Sequence, residues 1–172
     1  MKKADFKPGT KIKVSDRMQR CTYTIQEKPG TQFDSGFKPE LTPQQMLRYG
    51  VFEGKYLNDC TKELPEEWFK SAKLSDEPDP SKNYFQIKSR QGLSVWKNKG
   101  WIVGQDVRGW FQWYCRYWLG RRDPEVDAIQ IKRWRAFTRH AGQIKANCKK
   151  GDLNCRPKQR QALLQWGYNP FI

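Results

Sequence analysis

Histidine is almost missing from this chain: His140 is the only one in 172 residues. No histidine cluster can therefore hold a metal, and HExxH and HxE…PCxxC zinc signatures are absent. The chain also has no P-loop and no G-x-S-x-G nucleophile turn. His140 lies in the arginine-rich stretch RWRAFTRH, where neighbouring cations depress an imidazole pKa, so it reads as structural rather than as a general base. Apolar runs are short as well. None approaches the roughly 20 residues of a membrane-crossing helix. No apolar stretch follows the charged start MKKADFKPG, so it does not read as a signal peptide. No membrane is expected as a partner. The five cysteines are odd in number and scattered. They predict free thiols in a reducing compartment, cytoplasmic or nucleoid/nuclear, and a protein that is not secreted. No cofactor and no bound metal are predicted.

Acidic residues are the most informative shortage. Eighteen Asp and Glu face thirty-three Lys and Arg, for a net charge of +15. The imbalance is one-sided. Residues 1–86 carry 15 basic and 13 acidic side chains, and residues 87–172 carry 18 and 5. Such a half-chain repels itself unless it meets a polyanion, and nucleic acid is the commonest one. Aromatic residues make up 14 % of the chain, enough to build a core on rings and too many for a disordered polycation.

Local patterns predict an α+β fold, predominantly α, in a single domain over residues 1–172. Lys11–Val14 and Cys21–Ile25 alternate polar and apolar residues and read as a β-hairpin around SDRMQR. Thr42, Pro43 and Gln45 form a capping box that opens a short helix stopped by Gly50. Residues 1–40 are thus a β and loop segment, and 41–104 mix short helices with loops. A second short helix starts at Pro65, YFQIKS reads as a strand, and GLSVWKNKG as a turn or short helix. Residues 105–168 predict a basic three-helix unit with an aromatic core. Its first helix runs from Val107 to Leu119, capped by Asp106. The second is opened by Asp123-Pro124-Glu125 and runs to about Asn147, and the third runs from Pro157 to Gly167.

Projection at about 100° per residue assigns faces to these helices. In GWFQWYCRYWLGRR (Gly109 to Arg122), six rings span an arc of roughly 160° and read mainly as core. Trp113 or Trp118, near its edges, is the candidate to stack on a base. Arg108, Gln112 and Arg116 fall opposite. Arg121 and Arg122, between two helices, form a candidate phosphate clamp. On the second helix Val126, Trp134, Phe137, Ala141, Ile144 and Cys148 form a core stripe. Lys132, Arg135 and Arg139 form a basic ridge spaced to follow a phosphate backbone. Arg156, Lys158 and Arg160 open the third helix.

The first expectation is therefore a nucleic-acid-binding protein, DNA ahead of RNA, contacting phosphates through Arg108, Arg116, Arg121, Arg122, Lys132, Arg135, Arg139, Arg156, Lys158 and Arg160, with Trp113 at a base. The alternative is a nucleic-acid-processing enzyme using the loop VFEGKYLNDC. There Lys55 is the candidate Schiff-base nucleophile or phosphate contact, and Glu53 or Asp59 the candidate activator of water. Glu53, Asp59 and Asp106 could instead hold Mg²⁺ in a nuclease. A third reading is an adaptor whose basic face docks an acidic protein. Together GVFEGKYLNDC, GWFQWYCRYWLGRR, QIKRWRAFTRH and CRPKQRQALLQW resemble a group of small, basic, Trp- and Arg-rich conserved hypothetical proteins. The resemblance covers Leu41 to Tyr168 and implies no fold, activity or cofactor.

Overall fold

A computed structural model describes all 172 residues. The hairpin forms as its alternation demands. Strands β1 (Lys11–Ser15) and β2 (Arg20–Thr24) pair antiparallel with Ile12 opposite Tyr23, and both side chains are buried. Asp16 ties the turn by accepting from the Met18 and Gln19 amides at 2.8 and 3.0 Å. After β2 the chain docks on the end of a later helix, where the Gln26 and Glu27 amides both donate to the Gly120 carbonyl. Gly120 has φ +111°, and a Cβ there would run into the Glu27 carbonyl, so only glycine permits this docking.

The capping box at Thr42 is present in full and opens helix α1 (Pro43–Tyr49). Short 3₁₀ turns follow at Phe52–Gly54, Thr61–Glu63 and Glu66–Trp68. YFQIKS is not a strand. Gln86 has φ +53°, and the Phe85 amide donates to the Gln161 side chain rather than to a neighbouring strand. Helix α2 (Leu93–Asn98) precedes α3 (Trp110–Trp118). Asp106 does not cap α3. Gly109 stands at its N-cap, and the Asp106 carboxylate turns inward to Arg116 and Arg121.

The expected long second helix is two helices, α4 (Pro124–Arg135) and α5 (Thr138–Asn147). Asp123 caps α4, with Pro124 at its first position. At the break the Ala136 and Phe137 amides donate to carbonyls three residues back, and the Thr138 hydroxyl donates to the Arg135 carbonyl at 2.8 Å, a local bond that competes with the helical ladder. Phe137, at the break, stacks on Trp166 with ring centroids 4.0 Å apart. Helix α6 (Pro157–Gln165) packs on α5. Cys148 and Cys155 join the two helices through a disulfide, which corrects the expectation of free thiols at those positions; Cys21, Cys60 and Cys115 are free. The predominantly helical α+β fold is the one expected, with four C-terminal helices in place of three.

The core collects 29 buried apolar residues from Phe6 to Tyr168. Its hub is Phe37, from the loop before α1. The rings of Trp110, Trp113, Tyr114, Tyr117 and Trp134 surround it at 5.0 to 6.4 Å. No helix is long and apolar enough to cross a membrane.

Candidate nucleic-acid interface

Both sides of α3 are buried, which changes the role of its cations. Arg116 is 0 % exposed and holds Glu63 through two bonds of 2.9 Å and Asp106 at 3.0 Å. Arg121 grips Asp106 with two bonds of 2.7 Å. Tyr23 donates to Glu63 at 3.0 Å, beneath both guanidiniums. Burial alone would lower the Arg116 pKa; the bound Glu63 carboxylate outweighs it and moves it upward. Arg108 is 3 % exposed and pairs with Asp16 at 3.2 Å and Asp59 at 3.3 Å. Arg160 is 0 % exposed and donates to the backbone oxygens of Asp152, Cys155, Pro170 and Ile172. Trp113 is also fully buried, its indole N–H donating to Asp127 at 2.8 Å.

Arg108, Trp113, Arg116, Arg121 and Arg160 are thus corrected from surface contacts to parts of the interior. A phosphate or base could reach them only by displacing partners already bound in a low dielectric. Arg122 is half-buried, donates to the carbonyls of Tyr117, Thr31 and Gln32, and lies 3.8 Å from the Tyr117 ring centre. It clasps the N-terminal loop to α3 rather than standing free as a clamp.

Lys132, Arg135, Arg139, Arg156 and Lys158 are exposed on α4, on α5 and at the start of α6. None makes an ion pair. Nor do Lys88, Lys97, Lys99, Lys145, Lys149 and Lys150, the other exposed cations after residue 86. The ion pairs of that half belong only to Arg90, Arg108, Arg116 and Arg121, all inside or at a wall. Two of its five acids are also buried. Asp106 serves two arginines, and Asp127 binds Trp113 and the Asp123 amide, with burial raising its pKa.

The 53–59 loop does not assemble as a catalytic set. Glu53 is 1 % exposed, held by Asn83 at 3.3 Å and Arg90 at 3.1 Å. Lys55 pairs with Glu77 at 3.0 Å, and Asp59 with Arg17 and Arg108 at 3.3 Å. No group of three or more His, Cys, Asp or Glu gathers as a metal site, so Glu53, Asp59 and Asp106 do not converge on one ion. The loop is nonetheless tightly specified. Phe52 and Glu53 both adopt left-handed φ values of +52° and +54°, a strain on the order of 1–3 kcal/mol each. The Phe52 amide donates to Gln165 at 3.1 Å and the Glu53 amide to Asn83 at 2.7 Å, which holds the turn in place.

That turn forms one wall of a cavity of about 200 Å³. Phe52, Tyr56 and Phe111 form one cluster of touching rings in its lining, and Trp110, Trp166 and Phe137 another. Trp96 and Trp101 stand beside them, Trp101 being 37 % exposed. Gly109 (φ +93°) lets the Trp96 ring lie against the start of α3; a Cβ there would sit 3.2 Å from that ring. Two cations, Arg90 and Arg133, line the cavity, and no carboxylate does. Arg133 donates to the Trp101 carbonyl at 2.6 Å and to Gln130 at 2.9 Å, and its guanidinium lies within 6 Å of the Trp101 and Trp166 rings. Burial lowers its pKa, and no acid compensates it.

Tyr56, Arg90 and Trp96 also line an adjoining groove of about 520 Å³, together with Arg17, Lys55, Asn58, Asp59, Asp76 and Arg108. Sequence reasoning passed over Arg90, Trp96, Trp101, Arg133 and Trp166. The available signal was Arg133, which lies four residues before Phe137 on the flank of the apolar stripe, outside the exposed ridge. No known protein family, curated protein or solved structure matches the chain.

Proposed function

We propose that this protein binds nucleic acid through the exposed cations of its C-terminal helices, with Lys132, Arg135, Arg139, Arg156 and Lys158 among the phosphate contacts. The observation that carries the reading is the absence of any ion pair at every exposed cation after residue 86, while two of the five acids of that half are held inside. Unpaired surface cations are free to replace the counterions condensed on a polyanion. An acidic protein could also meet such a face, but it would be displaced by competing duplex only if the two share the surface.

The test is a titration of duplex and single-stranded oligonucleotides at several salt concentrations. Wild-type affinity should fall steeply with salt. Replacing Lys132, Arg135, Arg139, Arg156 and Lys158 with glutamine should weaken binding and flatten the salt dependence by about 0.9 in log–log slope per lost duplex contact, about 0.7 on a single strand. Absent or salt-insensitive binding would overturn the reading.

An enzymatic reading draws on the cavity beside the 53–59 loop. The ion pairs at Lys55 and Asp59 and the lack of any carboxylate in the cavity favour binding over catalysis.

A further inference from the structure

The aromatic cavity and the adjoining groove differ in chemistry and share a wall. The cavity is faced by rings and suits one flat, apolar-faced group. A cavity of about 150 Å³ already holds a benzene ring, so about 200 Å³ suits a single heteroaromatic ring system rather than a larger ligand. Its cations, Arg90 and Arg133, favour an electron-rich ring edge, and Gln91 at the rim is exposed with no hydrogen bond on its side chain. Amides of this kind read the donor and acceptor edge of a base.

The groove is polar and carries four cations, Arg17, Lys55, Arg90 and Arg108, against two acids, Asp59 and Asp76. Arg108 is 3 % exposed and held by two ion pairs, with its Nη2 closed to solvent, so it lends charge to the groove rather than a free donor. A phosphate supplies several strong acceptors in one group and matches guanidinium geometry.

We propose that cavity and groove form one site for a nucleotide unit, with its base between the rings of the cavity and its phosphate in the groove at Arg17, Arg90 and Lys55. Tyr56, Arg90 and Trp96, which line both compartments, flank the sugar that joins the two parts. The unit is either a free mononucleotide or an unpaired nucleotide within a strand. Only the second source rests on the nucleic-acid reading.

Calorimetric titration of the full chain separates these cases. The probes are the four ribonucleoside monophosphates, the matching nucleosides, inorganic phosphate, and single-stranded and duplex oligonucleotides. Trp101→Ala removes a partly exposed ring, Gln91→Ala an exposed edge contact and Lys55→Gln a groove cation, with thermal melts to confirm folding. If the source is free nucleotide, at least one monophosphate binds at least tenfold more tightly than its nucleoside or phosphate alone. Trp101→Ala then weakens it about tenfold, as expected for a lost stacking partner. Lys55→Gln then weakens the monophosphate and leaves the nucleoside unchanged. If the source is a strand, monophosphates fail to bind while single strands bind more tightly than duplex, and Trp101→Ala or Gln91→Ala removes that preference. The proposal is overturned if no monophosphate binds and neither variant alters the ratio of single-strand to duplex affinity. Salt-dependent oligonucleotide binding that survives in both variants would then leave the basic-surface reading standing without this site.

Discussion

Two groups of aromatic rings meet at α3 residue Trp110, which touches Phe37 in one and Trp166 in the other, and they do different work with the same residue types. Around Phe37 the rings close on one another. Most of their polar edges are met inside: Trp113 by Asp127, Tyr114 by the Leu41 carbonyl at 2.7 Å, and Tyr117 by the Asp34 amide at 2.8 Å; the buried Trp134 indole N–H alone has no partner. Around Trp96, Trp101, Phe137 and Trp166 the rings surround a cavity of about 200 Å³, and the charged groups of its lining are two cations without an acid. What separates the two is the centre. A phenyl ring from a distant loop fills the first group, whereas the second frames a space bordered by guanidiniums. Ring content alone therefore says little about whether an aromatic cluster is core or site; the supply of a central side chain and of carboxylates decides.

The sharpest way to break the comparison is truncation on each side. Phe37→Ala should cost about 3–5 kcal/mol of stability in urea denaturation, because five rings lose their common partner. Trp101→Ala should cost under about 1 kcal/mol, since the ring is already partly in water. Equal losses would erase the distinction between the closed and open groups. Next in size is the polar layer beneath the closed group. Glu63→Gln leaves Arg116 buried with half its charge partners removed and should destabilise by about 3 kcal/mol, read as a lower denaturation midpoint.

The smallest effect belongs to the open side. His140 packs against Phe137 with ring centroids 5.2 Å apart. Burial first, and the Arg139 cation second, lower its folded pKa below 6.5. The unfolded chain thus binds this proton more readily than the folded one. The stabilisation is complete above pH 6.5 and is lost as pH falls through the folded pKa. Protection factors of α5 amides, which correct for the slower intrinsic exchange at lower pH, should fall over that interval while α3 amides stay protected, and His140→Gln should abolish the difference.

The local chemistry of the chain was legible wherever one short segment carried the whole signal. The Thr42 capping box, the Asp123-Pro124 start, the Pro157 start and the hairpin alternation all appear as read. What escaped reading was pairing across long separations. A helical projection places Arg108 and Arg116 opposite the rings of α3, and opposite a buried face normally means water. Here the second face meets Glu63, Asp16 and Asp106, which lie 53, 92 and 10 residues from their arginine partners, and no periodicity announces that meeting. The cavity escaped for the same reason, because its walls come from five separate stretches of chain. The break at Phe137 goes with a hydroxyl turned back to a carbonyl, an arrangement open to any helical threonine and so not marked in the sequence.

The distribution of tryptophan also gives the molecule an optical property. Of its eight indoles, Trp68 and Trp113 are sealed at 1 % and 0 % exposure, whereas Trp96, Trp101 and Trp166 are the three of the four cavity-lining indoles that are not buried. Indole emission shifts to longer wavelength as the ring's surroundings become more polar and mobile. The sealed pair should emit at the blue edge and change only when the whole chain melts. The bordering three should emit to the red and respond to whatever enters between them. One unlabelled sample, excited once, therefore carries a folding reporter and an occupancy reporter in separate parts of the same spectrum.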